Sequence, residues 1–147
     1  MSNAKINSGD WVVVCDGRKA LILENIGDQK FPNLRTIETR EQKDPPTREQ
    51  GTSGPGSTHP SVGTARSSVD QTDWHDEAER TFLHALVSHL DTAIRAGQTK
   101  HLFVVAPPRA LGMLRQVYTT PIRNALKEEV DKDLVHAPVR DIEKRFS

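Results

Sequence analysis

Leu102-Phe-Val-Val-Ala106 is five apolar residues in a row, and no other feature limits the fold as tightly. A strand apolar on both faces needs cover on both faces, which points to helices packed against a sheet. The flanking sequence supplies them. From Asp73 to Ala96, the residues Phe82, Leu83, Leu86, Leu90, Ala93 and Ile94 recur at helical spacing and mark one buried stripe. Thr72 or Asp73 can cap that helix, Asp76, Glu77 and Glu79 suit its positive end, and Gly97 fits its stop. Pro107-Pro108 ends the strand, and Pro108 can occupy the first turn of a helix from Arg109 to about Val117. Pro121 opens a short helix through Leu126. Residues 127–136 read as helix or strand, with a strand at Glu128–Lys132 preferred. A last helix runs from Pro138 to Phe146.

The opening third reads as an antiparallel meander. Trp11-Val-Val-Val-Cys15 and Ala20-Leu-Ile-Leu-Glu24 flank Asp16-Gly17, a pair suited to a type I′ hairpin turn. Arg35-Thr-Ile-Glu-Thr-Arg40 suits a third, edge strand. Between meander and long helix, residues 44–72 carry only Val62, Ala65 and Val69 as apolar side chains. Such a stretch cannot bury enough surface to offset its ordering entropy, so a mobile polar loop is expected there. The chain therefore reads as an α/β protein. A flexible N-terminus at 1–8 precedes a single domain over 9–147, whose meander continues into a mixed sheet with α-β-α-β order.

At 147 residues one core is expected. No run is long or apolar enough to span a bilayer, and the first residues lack the plan of a signal peptide. A cytoplasmic location is the resulting expectation. One cysteine, Cys15, excludes an internal disulfide framework and a cysteine-based zinc site. Twenty basic residues balance twenty acidic ones, which argues against coating nucleic acid by bulk attraction. Charge is nonetheless segregated. Residues 70–91 carry six acids against Arg80, whereas residues 92–126 carry Arg95, Lys100, Arg109, Arg115 and Arg123 and no acid. These are either solvated helix faces or a basic patch suited to phosphate.

Several residues invite chemistry. Asp73, Trp74, His75 and Asp76 cluster where loop meets helix, and His75 and Glu79 share a helix face. With His59 they would make a metal site; otherwise Trp74 anchors the loop and the acids serve the helix dipole. Arg109 follows a strand end and opposes the dipole of its own helix, so it either pairs with an acid such as Asp73 or Asp76 or grips an anion. Asp16 and Asp131 at strand ends could bind Mg²⁺, although the turn already explains Asp16. Cys15 reads as a core residue rather than a nucleophile. Neither a phosphate-binding loop motif nor a nucleophile-elbow motif is present. No cofactor or resident metal is expected.

A set of ordered motifs carries a family resemblance: Trp11-Val-Val-Val-x-Asp-Gly-Arg-Lys-Ala, Phe31-Pro-Asn-Leu, Pro46-Thr-x-Glu-Gln-Gly51, Arg66-Ser-Ser-Val-x-Gln-Thr-Asp-Trp-His-Asp76, Val104-Val-Ala-Pro-Pro-Arg-x-Leu-Gly112 and Asp131-Lys-Asp-Leu134. Together they resemble the bacterial host attachment protein family. That family is similar to the middle domain of archaeal and eukaryotic peptide-chain release factors and of Pelota. The resemblance implies an α/β fold with a meander, a long loop and a helix. In release factors the loop carries a Gly-Gly-Gln tip that promotes ester hydrolysis on the ribosome. The matching stretch here is Gly63-Thr-Ala-Arg-Ser-Ser68, with Thr64 and Ala65 in place of the second Gly and the Gln. The resemblance therefore implies docking without hydrolysis.

The leading expectation is a non-enzymatic module that docks on the ribosome or structured RNA, with Arg66, Arg109 and Arg115 meeting phosphate. The alternatives are a hydrolase or metal-dependent enzyme built on the Asp73–Asp76 helix start, or a protein-binding adaptor in host-cell adhesion.

Overall fold

The computed structural model describes residues 5–42 and 60–146, with side chains in the second segment from His75 onward. Five strands and four helices are described: β1 Trp11–Cys15, β2 Lys19–Asn25, β3 Leu34–Glu41, α1 Pro60–Arg95, β4 Leu102–Ala106, α2 Pro108–Arg115, α3 Thr120–Ala125, β5 Leu126–Asp131 and α4 Val139–Lys144. The sheet order is β3-β2-β1-β4-β5. β1, β4 and β5 run parallel, and β2 is antiparallel to both its neighbours. This is the mixed α/β sheet expected, and the ambiguous segment at 127–136 resolves in favour of a strand.

Alternation along the strands builds two cores. Trp11, Val13, Cys15, Ala20, Ile22, Leu102, Val104 and Ala106 face α1, α2 and α3. Val12, Val14, Leu23, Phe103, Val105 and Val130 face α4 and the N-terminal segment. The strand at 102–106 is thus buried on both sides, as its composition requires. Ile6 belongs to the second core and is 1% exposed. The body therefore begins before residue 9, because that face of the sheet needs an apolar side chain from 1–8 to close it. Residues 1–4 lie outside those described.

Three local expectations change. The helix placed from Asp73 begins at Pro60, so the backbone at 60–72 is helical rather than loop. Val62, Ala65 and Val69 each stand 21 residues before Leu83, Leu86 and Leu90, so the polar stretch keeps the helix period although it is poor in apolar residues. The remainder of the expected loop, 44–59, lies outside the described residues. Thr72 and Asp73 consequently do not cap the helix, and Asp76, Glu77 and Glu79 stand within it, away from its positive end. Gly97 does terminate it, with φ of 78° and the paired bonds Gln98 N to Ala93 O and Gly97 N to Ile94 O, both 3.0 Å.

The third change is the turn after β1. Among the described glycines only Gly9 and Gly97 have positive φ, so Asp16-Gly17 is not a type I′ turn. Asp16 Oδ1 instead accepts from the backbone N–H of Arg18 at 2.8 Å and of Lys19 at 2.9 Å. On β3, the register shift leaves Ile37 unpaired opposite Ile22 and Leu23, a bulge on an edge strand that discourages further pairing.

Candidate functional site

The topology gathers chemistry at one edge. The carboxyl ends of β1, β4 and β5 and of β3 lie together, and the chain leaves β1 toward β2 but leaves β4 toward β5. That divergence is a topological switch point, where α/β sheets form crevices for ligands. Two clefts open there, on either side of the Asp16-Gly17-Arg18 turn. The first, about 280 Å³, is lined by that turn with Glu79, Leu83, Pro107, Arg109 and Ala110. The second, about 340 Å³, is lined by Asp16, Arg18, Lys19, Glu41, Gln42 and His136. Apolar Leu83, Pro107 and Ala110 form part of the first wall, whereas the second is lined by polar and charged residues.

Arg109 bridges this edge. Its guanidinium hydrogen-bonds Asp76 through one terminal nitrogen and Glu79 through Nε, at 3.1 Å for the latter. Asp76 and Glu79 are one turn apart on α1, and Arg109 opens α2, so the three side chains tie two helices together above the sheet. The hydrogen bond to Glu79, then that to Asp76, holds the Arg109 pKa above its ordinary value. These carboxylates also answer why a cation stands at a helix start, where the dipole opposes it. Gly17 makes the approach possible. A Cβ there would lie 2.6 Å from Glu79 Cγ and 2.7 Å from Glu79 Cδ.

Arg115 is likewise engaged, through Nε at 2.9 Å and a terminal nitrogen at 2.6 Å, both to Glu129 Oε1. Tyr118 donates to the other oxygen of Glu129 at 2.9 Å. Burial, then the adjacent Glu129 charge, pushes the Tyr118 hydroxyl far above its usual range. Arg95 pairs with Asp91 at 2.9 Å. Three of the five cations in the acid-free segment, Arg95, Arg109 and Arg115, are thus paired in space with acids of α1 and β5. Among the described residues, Arg18, Lys100 and Arg123 have no carboxylate partner.

The expected site residues therefore divide. Asp76 meets Arg109, the ion-pair reading of that arginine, and Glu79 joins it although sequence spacing had pointed Glu79 toward His75. Arg109 and Arg115 do not meet in one cluster; each has its own acid. The side chains of Arg66, Asp73 and Trp74 lie outside the described residues, as does His59. Among the described residues no group of three His, Cys, Asp or Glu side chains could hold a metal ion. Cys15 is fully buried, and burial, with a smaller contribution from Asp16, pushes its thiol up to about 12. It packs as a core residue. Sequence reading missed Gly17 as a packing position and Arg18 as an unpaired cation between the clefts. Neither carries a signal of its own in the sequence, where Asp16-Gly17-Arg18 reads simply as a turn; what marks Gly17 is Glu79, brought against it by the fold.

Arg109→Ala tests the bridge. Exposed ion pairs contribute at most about 1 kcal/mol, so global stability should barely move. Hydrogen exchange should nonetheless accelerate at backbone amides 75–80. Unchanged exchange there would show that the bridge does not hold α1.

Among the described residues no helix is long and apolar enough to cross a membrane. An uncharacterized protein of Rickettsia prowazekii (strain Madrid E) is 33% identical over 72 residues, which is 48% of this chain and 45% of that protein. The similar segment thus spans less than half the length of that relative. The description "Bacterial archaeo-eukaryotic release factor family 12" matches residues 10–146, from the start of β1 to the end of α4. With strands, long helix and carboxyl edge all inside that match, the chain belongs to the bacterial archaeo-eukaryotic release factor family.

Proposed function

We propose that the chain is a cytoplasmic, non-enzymatic docking module for the ribosome or structured RNA, and that its part in host-cell attachment is indirect. Two points support this reading: the release-factor family match runs over residues 10–146, and Gly63-Thr-Ala-Arg, the stretch that resembles the hydrolytic tip, has Thr64 and Ala65 in place of its second Gly and its Gln. A match without the hydrolytic tip supports docking without hydrolysis. The enzyme alternative loses support because Asp76 and Glu79, its acids, are committed to Arg109.

The arginines proposed to meet phosphate are Arg66, Arg109 and Arg115. For Arg109 and Arg115 a phosphate must displace a carboxylate. Arg18, exposed between both clefts and without an acid partner among the described residues, meets no such competition and joins the set.

Tagged protein in lysate should sediment with ribosomal particles at low salt and move to the top of the gradient at high salt. Arg18→Ala should weaken this association more than Arg115→Ala. For purified protein on single-stranded RNA, removing one phosphate-binding side chain should flatten the salt dependence by about 0.7 in logarithmic slope. Protein at the top of the gradient at every salt concentration overturns the reading.

A further inference from the structure

At the opposite end of β2 from the clefts, the loop between β2 and β3 is built around a buried asparagine. Asn25 is 0% exposed. Its Nδ2 donates to Asn7 O at 3.1 Å and Asp28 O at 3.3 Å, and its Oδ1 accepts from Gly27 N at 3.0 Å and Asn33 N at 2.8 Å. The whole capacity of the amide is used at the base of this loop. Asp28 closes the tip, its Oδ1 accepting from Phe31 N at 2.7 Å. Ile26 N donates to Asn33 O at 2.9 Å. A Cβ on Gly27 would lie 2.2 Å from Phe31 O and 2.8 Å from Asn33 N, so the loop closes only over glycine.

This construction holds a phenyl ring in solvent. Phe31 is 70% exposed. An isolated surface apolar residue needs no explanation. Here, however, a buried asparagine with all four of its amide hydrogen bonds made fixes the backbone beneath the ring, and the ring contributes almost nothing to either core. A preordered aromatic loses little entropy on binding. The surrounding charge selects the ligand. The Lys30 ammonium lies 6.0 Å from the ring centroid. Lys30 has no carboxylate partner among the described residues, and the loop's own acid, Asp28, turns an oxygen toward its backbone. An aromatic face beside the unpaired Lys30 ammonium suits a nucleobase with its phosphate.

We infer that Phe31 is a stacking platform for one unpaired RNA base, with Lys30 on a flanking phosphate. The inference rests on the RNA-docking reading and places a specific interaction within it. Because Phe31 and Arg18 stand at opposite ends of β2, their effects should add independently.

The test is fluorescence anisotropy with a fluorescein-labelled oligo(A) RNA of about twelve nucleotides, within the range of sites that stacking platforms cover, at low salt. The same variants are sedimented with ribosomal particles. Phe31→Ala and Phe31→Leu should both weaken oligonucleotide binding by about 5- to 160-fold, the range for one base–aromatic stack removed. Phe31→Trp should retain the affinity, and its added indole fluorescence should be quenched by RNA. The wild-type fold should survive each change, since the ring is exposed. Oligonucleotide binding unaffected by Phe31→Ala overturns the platform alone and leaves docking in place. Full affinity in Phe31→Leu also overturns it, because an apolar side chain of any shape would then suffice. Loss of ribosome binding with oligonucleotide binding intact assigns the ring to a protein surface and overturns the base assignment. Wild type that binds neither probe overturns the docking reading and the platform together.

Discussion

Phe103→Ala should destabilise the protein by about 4 kcal/mol, within the range for emptying a buried aromatic site. Phe103 is 0% exposed on β4, which has strands paired on both sides. Its ring meets Phe146 edge-to-face, with centroids 5.2 Å apart and planes at 74°. Lys127 Nζ lies 6.0 Å over the same ring while also approaching Asp10 at 3.6 Å. Truncation therefore removes a large apolar side chain, an aromatic pair and the floor under a lysine. The surrounding strands are fixed by their ladders, so the cavity cannot collapse. Thermal unfolding should show a Tm lower by roughly 8–16 °C at this chain length. Chemical unfolding should show a lower midpoint at unchanged slope. A loss below about 1 kcal/mol would mean that the face under α4 is not packed as a core.

Asn25→Ala should cost about 3 kcal/mol, for a different reason. Four hydrogen bonds disappear, and the carbonyls of Asn7 and Asp28 and the N–H groups of Gly27 and Asn33 lose their shared partner. Asn25→Asp should be no milder, since a carboxylate cannot donate to the two carbonyls and would bury a charge. Hydrogen exchange should accelerate across 26–33. RNA affinity should fall as well, although Phe31 itself remains, because the ring would have to be ordered on binding. Stability within about 0.5 kcal/mol of wild type would show that backbone bonds alone hold the loop.

Much of this architecture is legible in residue order, because its causes are local. The unbroken apolar run at 102–106 requires a covered strand, and the β-prone runs at 11–15 and 20–24 around Asp16-Gly17 point to the hairpin that forms. The Leu83, Leu86, Leu90 spacing requires a helix, and Gly97 supplies the left-handed conformation that ends it. The start of α1 at Pro60 is less legible, since its first residues favour loops on composition while keeping a helical period. The turn after β1 misleads for a related reason: Asp-Gly carries two uses, and here Gly17 answers to Glu79 across the fold rather than to its own φ.

Residue order alone sets the α/β class, the strand and helix inventory and the sheet covered on both faces, because hydrophobic period and turn chemistry act over a few residues. Which charges remain available is settled in three dimensions. Along the chain, 92–126 is a basic block; folded, Arg95, Arg109 and Arg115 each meet carboxylates that come from other parts of the chain or from a neighbouring helical turn. Arg18, inconspicuous in a turn, emerges as an unpaired cation between two clefts, and Phe31 as a ring held out by a buried amide. Arg109 stands 30 residues from Glu79 and 33 from Asp76, yet bonds both. Coulomb interaction follows separation in space, not in sequence.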